Sequence, residues 1–471
     1  MADRPPNILL LMSDQHRADA MGCAGNPAVQ TPTLDRLAVE GVRFERAYCQ
    51  GPLCMPARAS FLTERYVRDH GVSDNNRELD GSVPTFLHAL QQVGYRTVCF
   101  GKMHLSVIPG MSDVRERGNQ MRAFGFDDLH ETAGKGASAR TRSEFTDDLE
   151  AQGLFERYRA HHAGFRGRPA WAAVPFDLPL EAYLDCWLGR RVARWIDEYD
   201  REAPFFAWIG FPGPHSPWDA PTSFVERYAR LTAAPDGTTR PDPLDSEPYV
   251  RFLNPRLRDS DSDTLTAERI AAVRRAYYGN VTLIDEQIGV ILAALERRGM
   301  LDNTWIVYTA DHGEMLGEHG LLHKRVFYEP SVRVPLVIRP PAGQAGAVER
   351  RVVRHIDVPA TLRVAAGAEV VPGGVGRVLS GDLAPCAISE NLGFAMVATD
   401  RWKLVVHEES GTPVALFDLE CDPLENRNRV ADPDTEPVRA ELMAGELGAL
   451  LSRPAVTRPD ARPAGRGGHG D

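Results

Sequence analysis

Residues 7–13 carry a continuous apolar run, Ile8-Leu9-Leu10-Leu11-Met12, that passes directly into Asp14-Gln15-His16-Arg17. A run without alternation is the pattern of a strand covered on both faces, so it predicts a central parallel strand delivering polar groups at its carboxyl end. The pattern recurs three times. Residues 95–100 lead into Gly101-Lys102-Met103-His104, residues 204–211 into Pro212-Gly213-Pro214-His215-Ser216-Pro217-Trp218, and residues 304–309 into Asp311-His312-Gly313. A further strand is predicted at 334–339. Helical periodicity is predicted at 33–40, 57–65, 83–93, 178–199 and 267–298, the last with Ile284, Ile288, Ile291 and Leu295 on one face. Helices between strands that end in polar residues predict an α/β fold, a doubly wound sheet with its site along one edge.

Two stretches, 110–179 and 231–262, are rich in Arg, Asp, Gly and Pro with weak periodicity, and read as long insertions or loops able to shape a pocket. After Pro340 the character changes. A short helix at 359–366, strands within 386–419 and a tight turn at Asp400-Arg401-Trp402-Lys403 predict a smaller C-terminal α+β subdomain. The expected organisation is a catalytic α/β domain over 1–345, the subdomain over 346–452, and a Pro-, Arg- and Gly-rich tail without fixed structure over 453–471.

The 471 residues, 43% hydrophobic and 25% charged, are enough for a large core. A net charge of -11 with no long basic block argues against nucleic acid or an anionic membrane as partner. No run approaches the ~20 apolar residues of a membrane span, and the run at Ile8 to Met12 is too short for the core of a signal peptide. Seven cysteines, at 23, 49, 54, 99, 186, 386 and 421, are odd in number and lack a C-x-x-C pair, so reduced thiols and a cytoplasmic protein are expected.

Cys54-Met55-Pro56-Ala57-Arg58 concentrates the chemistry. Cys54 precedes the predicted helix, Pro56 suits its first position, and an anion arriving there would meet free N–H groups and the Arg58 guanidinium. A lone cysteine is ordinarily a packing residue, so the neighbours decide. Asp14, Asp311 and His312, at two strand ends, suit a hard divalent cation, with Gln15 as a further oxygen ligand. Lys102 supplies fixed charge for an anion, and His104 and His215 can move protons near neutral pH. Lys324 adds a cation. Trp218 is poised between stacking on the substrate and packing on the sheet, and Glu314, Glu318, His319 and His323 crowd the Asp311 region without an assigned role.

Cys54-x-Pro56-x-Arg58 followed by Ala59-Ser60-Phe61-Leu62-Thr63 resembles the signature of the type I sulfatases of the alkaline-phosphatase superfamily. Asp14-Gln15, Gly101-Lys102-Met103-His104, Pro214-His215-Ser216-Pro217-Trp218, Asp311-His312-Gly313-Glu314, Gly320 to Lys324, and Leu416-Phe417-Asp418-Leu419 match in order, so the resemblance spans about residues 5–430. It implies a large mixed, mostly parallel sheet sandwiched by helices. It further implies that a maturation enzyme converts Cys54 to Cα-formylglycine, whose hydrate attacks the sulfur of a small sulfate ester and forms a covalent sulfo-enzyme. Arg58 would hold the nucleophile, Lys102 would steady it, His104 would deprotonate the second hydroxyl, and His215 with Lys324 would protonate the departing alcohol. The implied metal shell is Asp14, Gln15, Asp311, His312 and the modified residue 54. Calcium is the family default, and the imidazole ligand makes manganese or magnesium rivals.

The same aspartate pairs occur in phosphonate monoester hydrolases and phosphodiesterases, which form the alternative, with a non-catalytic anion-binding relative as the third reading. Lys102 and His104 match the sulfatase form. Self-association into a homo-oligomer is compatible with the insertions and the subdomain.

Overall fold

The computed structural model describes residues 4–107, 112–231 and 264–459. Nine strands form the large sheet: β1 (Asn7–Asp14), β2 (Val42–Tyr48), β3 (Arg96–Lys102), β4 (Asp128–Thr132), β5 (Phe205–Pro214), β6 (Thr304–Ala310), β7 (Arg333–Val334), β8 (Leu336–Arg339) and β9 (Ala347–Arg354). Their order is β4-β3-β5-β1-β6-β8-β2-β7, with β9 on β2. The run β4-β3-β5-β1-β6 is parallel throughout, and β8 is antiparallel to both β6 and β2.

β1 explains why its sequence does not alternate. Ile8, Leu10 and Met12 pack into one core cluster and Leu9 and Leu11 into the other, so both faces are covered. The second cluster is roofed by the helices Leu184–Glu198 and Ala267–Arg297, and the first holds the helix Cys54–Thr63 against Trp208 and Phe206 of β5. Among the described residues no helix is long and apolar enough to cross a membrane.

Four strands, β10 (Ala387–Asn391), β11 (Phe394–Ala398), β12 (Trp402–His407) and β13 (Pro413–Asp418), form a separate antiparallel sheet, with the predicted turn at Asp400 joining β11 to β12. The architecture is thus the mixed, mostly parallel sheet with flanking helices, plus a small C-terminal sheet.

Several expectations differ from the fold. Of the two readings of 110–179, insertion or loop, the described residues 112–179 support an insertion with secondary structure of its own. It contributes β4 to the sheet and the helices Glu144–Ala151 and Phe155–Ala163. β4 escapes the apolar pattern because it is a polar edge strand, and the helices are anchored by few apolar side chains, Phe145, Leu149 and Tyr158 buried and Leu154 and Phe155 partly so. The predicted strand at 334–339 is split by Pro335, which has no N–H to give the ladder, and runs antiparallel to β6. The large sheet continues past residue 345, since β9 pairs with β2. The predicted helix at 178–199 runs from Leu184 to Glu198, after a short 3-10 turn. The tail is ordered as far as it is described: Val456 N donates to Arg68 O at 2.9 Å and Arg458 pairs with Asp80 at 3.0 Å. Most of the predicted loop at 231–262 lies outside the described residues, as does the end of the tail.

Candidate active site

β1 and β6 are parallel neighbours, with Ser13 opposite Ala310, so Asp14 and Asp311 leave the sheet side by side. β3 and β5 release Lys102 and His215 at the same edge. Gly101, at φ 78°, lets β3 approach closely, since a Cβ there would overlap the carbonyl oxygen of Gly210. The helix carrying Cys54 begins at Cys54 itself, two residues earlier than Pro56 suggests. Pro56 is tolerated because the first-turn N–H groups have no intrahelical partner. Asn75 Oδ1 instead accepts from Met55 N at 3.0 Å.

All the candidate charges except His104 are buried, and they converge on Cys54 Sγ. His312 Nε2 lies 3.2 Å from the sulfur, Lys324 Nζ 3.3 Å and Asp14 Oδ1 3.8 Å, and the side chains of His104 and His215 also hydrogen-bond it. Burial pushes the thiol up, but Lys324, His312 and these hydrogen bonds outweigh it and hold the group well below the ordinary cysteine range.

Arg58 has no solvent exposure, and each of its three nitrogens donates to protein. Nε donates to Asp311 Oδ2 at 2.9 Å, the two terminal nitrogens to Asp14 Oδ2 at 3.2 Å and to Lys102 O at 2.7 Å, with Met103 O at 3.3 Å. The guanidinium therefore grips the two carboxylates at the edge of the sheet. Lys102 Nζ adds a contact of 2.9 Å to Asp14 Oδ2. Burial raises the Asp14 carboxyl, as does Cys54, yet Lys102, His215 and Arg58 together keep it ionised, well below the usual carboxylate range.

This arrangement leaves one oxygen of each aspartate directed inward. Asp14 Oδ1 lies 3.9 Å and Asp311 Oδ1 3.6 Å from His312 Nε2, and ligand atoms of Asp14, Cys54, Asp311 and His312 all lie within 4.8 Å of one another. Two buried, cation-oriented carboxylates and an imidazole fit a divalent metal ion. Gln15 adjoins the group: its N–H donates to Asp311 Oδ1 at 3.0 Å, and its side chain spans Lys324, which donates to Oε1 at 2.6 Å, and Glu314.

His215 Nε2 meets Lys324 Nζ at 2.7 Å, and burial followed by the Lys324 charge lowers its affinity for a proton. His104 has φ 48°, and its buried Nδ1 has no hydrogen-bond partner among the described residues. Trp218 is only 2% exposed. It donates to Ala170 O and stacks on His323, the packing outcome of the two open for it.

Glu314, unassigned from sequence, turns out to organise the site: Oε1 accepts from Leu316 N at 2.9 Å and His323 N at 2.6 Å while Oε2 holds Gln15. Its place one residue beyond Asp311-His312-Gly313 was the available signal. Tyr277, whose hydroxyl donates to Gln15 O at 2.7 Å, sits mid-helix and gave none. Glu318 pairs with Arg17, and His319 stacks on Tyr328.

The sequence profile of the Sulfatase family matches residues 6–368. An arylsulfatase of Clostridium perfringens is 30% identical over 370 residues, 76% of this chain and 74% of its own length. A choline-sulfatase of Rhizobium meliloti is 29% identical over 464 residues, 94% of this chain and 86% of its own. Among solved structures, the phosphonate monoester hydrolase of Agrobacterium radiobacter superposes with a TM-score of 0.75 at 25% identity, covering 97% of this chain and all of that one.

Proposed function

The chain belongs to the sulfatase family of the alkaline-phosphatase superfamily and is a sulfuric ester hydrolase, and from that premise we propose that it cleaves a small organic sulfate ester at position 54, with Cys54 oxidised to formylglycine by a maturation enzyme. The observation that carries this reading is the convergence of Lys324, His312, His104 and His215 on Cys54 Sγ, which marks where the modified side chain begins. The hydrated aldehyde supplies two hydroxyls on one carbon, one to displace the ester oxygen from sulfur and one to release sulfate afterwards. A divalent ion held by Asp14, Asp311 and His312, with Gln15 Oε1 as a further donor, supplies Lewis-acid polarisation of oxygen at that point. Calcium suits the carboxylates, and the imidazole brings manganese and magnesium into the comparison.

The protein's own groups divide the remaining work. Arg58 is a positioning residue that fixes the spacing of Asp14 and Asp311. Lys102 neutralises Asp14 and keeps positive charge beside the developing negative charge. His104, with one nitrogen on residue 54 and the other unpartnered, takes the hydroxyl proton that must leave before sulfate departs. Lys324 Nζ lies 2.7 Å from His215 Nε2, and His215, whose hold on a proton is weakened by burial and by that neighbouring charge, gives a proton readily to the departing alcohol oxygen.

Phosphonate monoester or phosphodiester hydrolysis is the second reading, favoured by the superposition on the Agrobacterium enzyme. Lys102 and His104 at the centre of the site support the sulfate reading. A panel of aryl, choline and sugar sulfates, run beside phosphonate monoesters and phosphodiesters at matched metal loading and full conversion of residue 54, separates the two. A sulfate ester is expected to give the highest kcat/KM. Rapid phosphodiester turnover without cleavage of any sulfate ester would reverse the assignment.

A further inference from the structure

A second cluster of metal-ligating side chains lies behind the loop that carries His215. His161 and His162 close the helix Phe155–Ala163, and Asp219 follows Trp218. Asp219 Oδ2 lies 3.7 Å from His161 Nε2 and 3.9 Å from His162 Nδ1, and ligand atoms of all three lie within 4.8 Å of one another. Consecutive residues on a helix point about 100° apart, so two such histidines cannot reach one point with the same atom. This pair reaches it with the far nitrogen of one ring and the near nitrogen of the other.

The separations are informative. They exceed the about 3.2 Å limit of a good N–H···O hydrogen bond. They are a few tenths of an ångström above the about 3.3–3.4 Å edge of a tetrahedron built on metal–nitrogen bonds of about 2.0–2.1 Å. Asp219 has a fully buried side chain whose Oδ1 accepts from Lys135 Nζ at 2.6 Å and Tyr183 Oη at 3.2 Å, while its buried Oδ2 faces His161 Nε2 and His162 Nδ1 at separations too long for a good hydrogen bond. One carboxylate oxygen is thus oriented by the protein and the other presented, as in metal sites whose ligands are held from behind. Burial raises the Asp219 carboxyl, but Lys135 together with His161 and His162 outweighs it and keeps the group ionised.

We propose that His161, His162 and Asp219 bind a second divalent metal ion, zinc by preference, with the fourth position left to water. Two imidazoles and one carboxylate are a nitrogen-rich set that zinc accepts and that calcium and magnesium disfavour. The Lys135 charge opposes a cation, and Asp219 together with nearby buried Asp185 offsets it. The ion joins the helix Phe155–Ala163 to the loop in which Asp219 stands four positions beyond His215, so it braces the proton-delivering histidine from outside the reaction centre.

Chelator-treated full-length protein titrated with Co²⁺ tests the proposal. In an Asp311→Asn background, which disables the first cluster, one equivalent with the intense visible absorption of tetrahedral cobalt is expected. Zn²⁺ should displace it, and Asp311→Asn/His161→Ala should lose it. Zinc content of proteins carrying native Asp311 gives an independent reading: His161→Ala, at the exposed end of a helix, is expected to hold one equivalent less than wild type and to lose the Zn²⁺-dependent rise in Tm. Equal zinc content in wild type and a His161→Ala variant of native circular dichroism would overturn the proposal and leave the cluster a histidine–aspartate ion pair. An equivalent that survives His161→Ala/Asp219→Asn would overturn it as well.

Discussion

Arg58 Nε donates to Asp311 Oδ2 at 2.9 Å with neither side chain reaching solvent. The same guanidinium reaches Asp14, so one helical residue sets the distance between carboxylates on two different strands.

Arg58→Lys retains the charge and cannot span both carboxylates. Removing one partner of a buried pair costs about 3–5 kcal/mol, and displacing reacting groups by about 1 Å costs about 100-fold in rate. A lower Tm together with at least that loss in kcat is expected. Native values of both in melting and steady-state assays would contradict the positioning role.

Cys54→Ala removes the nucleophile's precursor from a site supported by its neighbours, so fold and Tm should survive while turnover vanishes. In active wild-type protein the peptide containing residue 54 should be lighter by about 18 Da, the change from thiol to aldehyde. An unmodified thiol in a fully active preparation would refute the conversion.

His215→Gln keeps a polar group beside Lys324 and removes the route for the proton. General acid catalysis is worth about 10²–10⁴-fold, and the loss should be largest for alkyl sulfates and smallest for nitrophenyl sulfate, whose leaving group needs no proton. A uniform loss across leaving groups would place His215 outside proton transfer.

Chelation of the metal is expected to abolish turnover and to leave a folded protein. Arg58 and Lys102 continue to neutralise the aspartates, so Tm should fall by only a few °C, and re-addition of Ca²⁺, Mn²⁺ or Mg²⁺ ranks the ions by recovered kcat. Full activity after exhaustive dialysis against chelator would remove the metal from the mechanism.

Glu390 gives a pH signature distant from the chemistry. Burial raises its carboxyl to about 7 from an ordinary 4.5, despite Arg68 N donating at 3.0 Å, because Glu408 shares the same arginine. The folded state therefore binds the proton more tightly than the unfolded one. This contribution is complete below about pH 4.5 and is lost as pH rises through 7. Glu390→Gln should gain in Tm relative to wild type between pH 5 and pH 8, and a pH-independent difference would show that the raised affinity is absent.

The site residues that sequence reveals are those at the ends of apolar runs. Asp14, Lys102, His215 and Asp311 each follow a strand whose two buried faces suppress alternation, and that suppression is a local signal. β4 and the helices of 110–179 give no such signal, because a polar edge strand and a few scattered apolar anchors take their burial from distant elements. Glu314 and Tyr277 are likewise silent: each acts through a hydrogen bond to Gln15 across more than half of the chain.

The sequence by itself determines that strands deliver polar residues to one edge, that position 54 heads a helix at that edge, and that the family is the sulfatases. Strand order is what only the tertiary structure decides. Placing β1 between β5 and β6 brings Asp14 and Asp311 within reach of one guanidinium, so that Arg58 clamps both carboxylates. The physical reason is range: burial pattern is written in neighbouring residues, whereas a buried charge is stable only beside partners that folding alone selects.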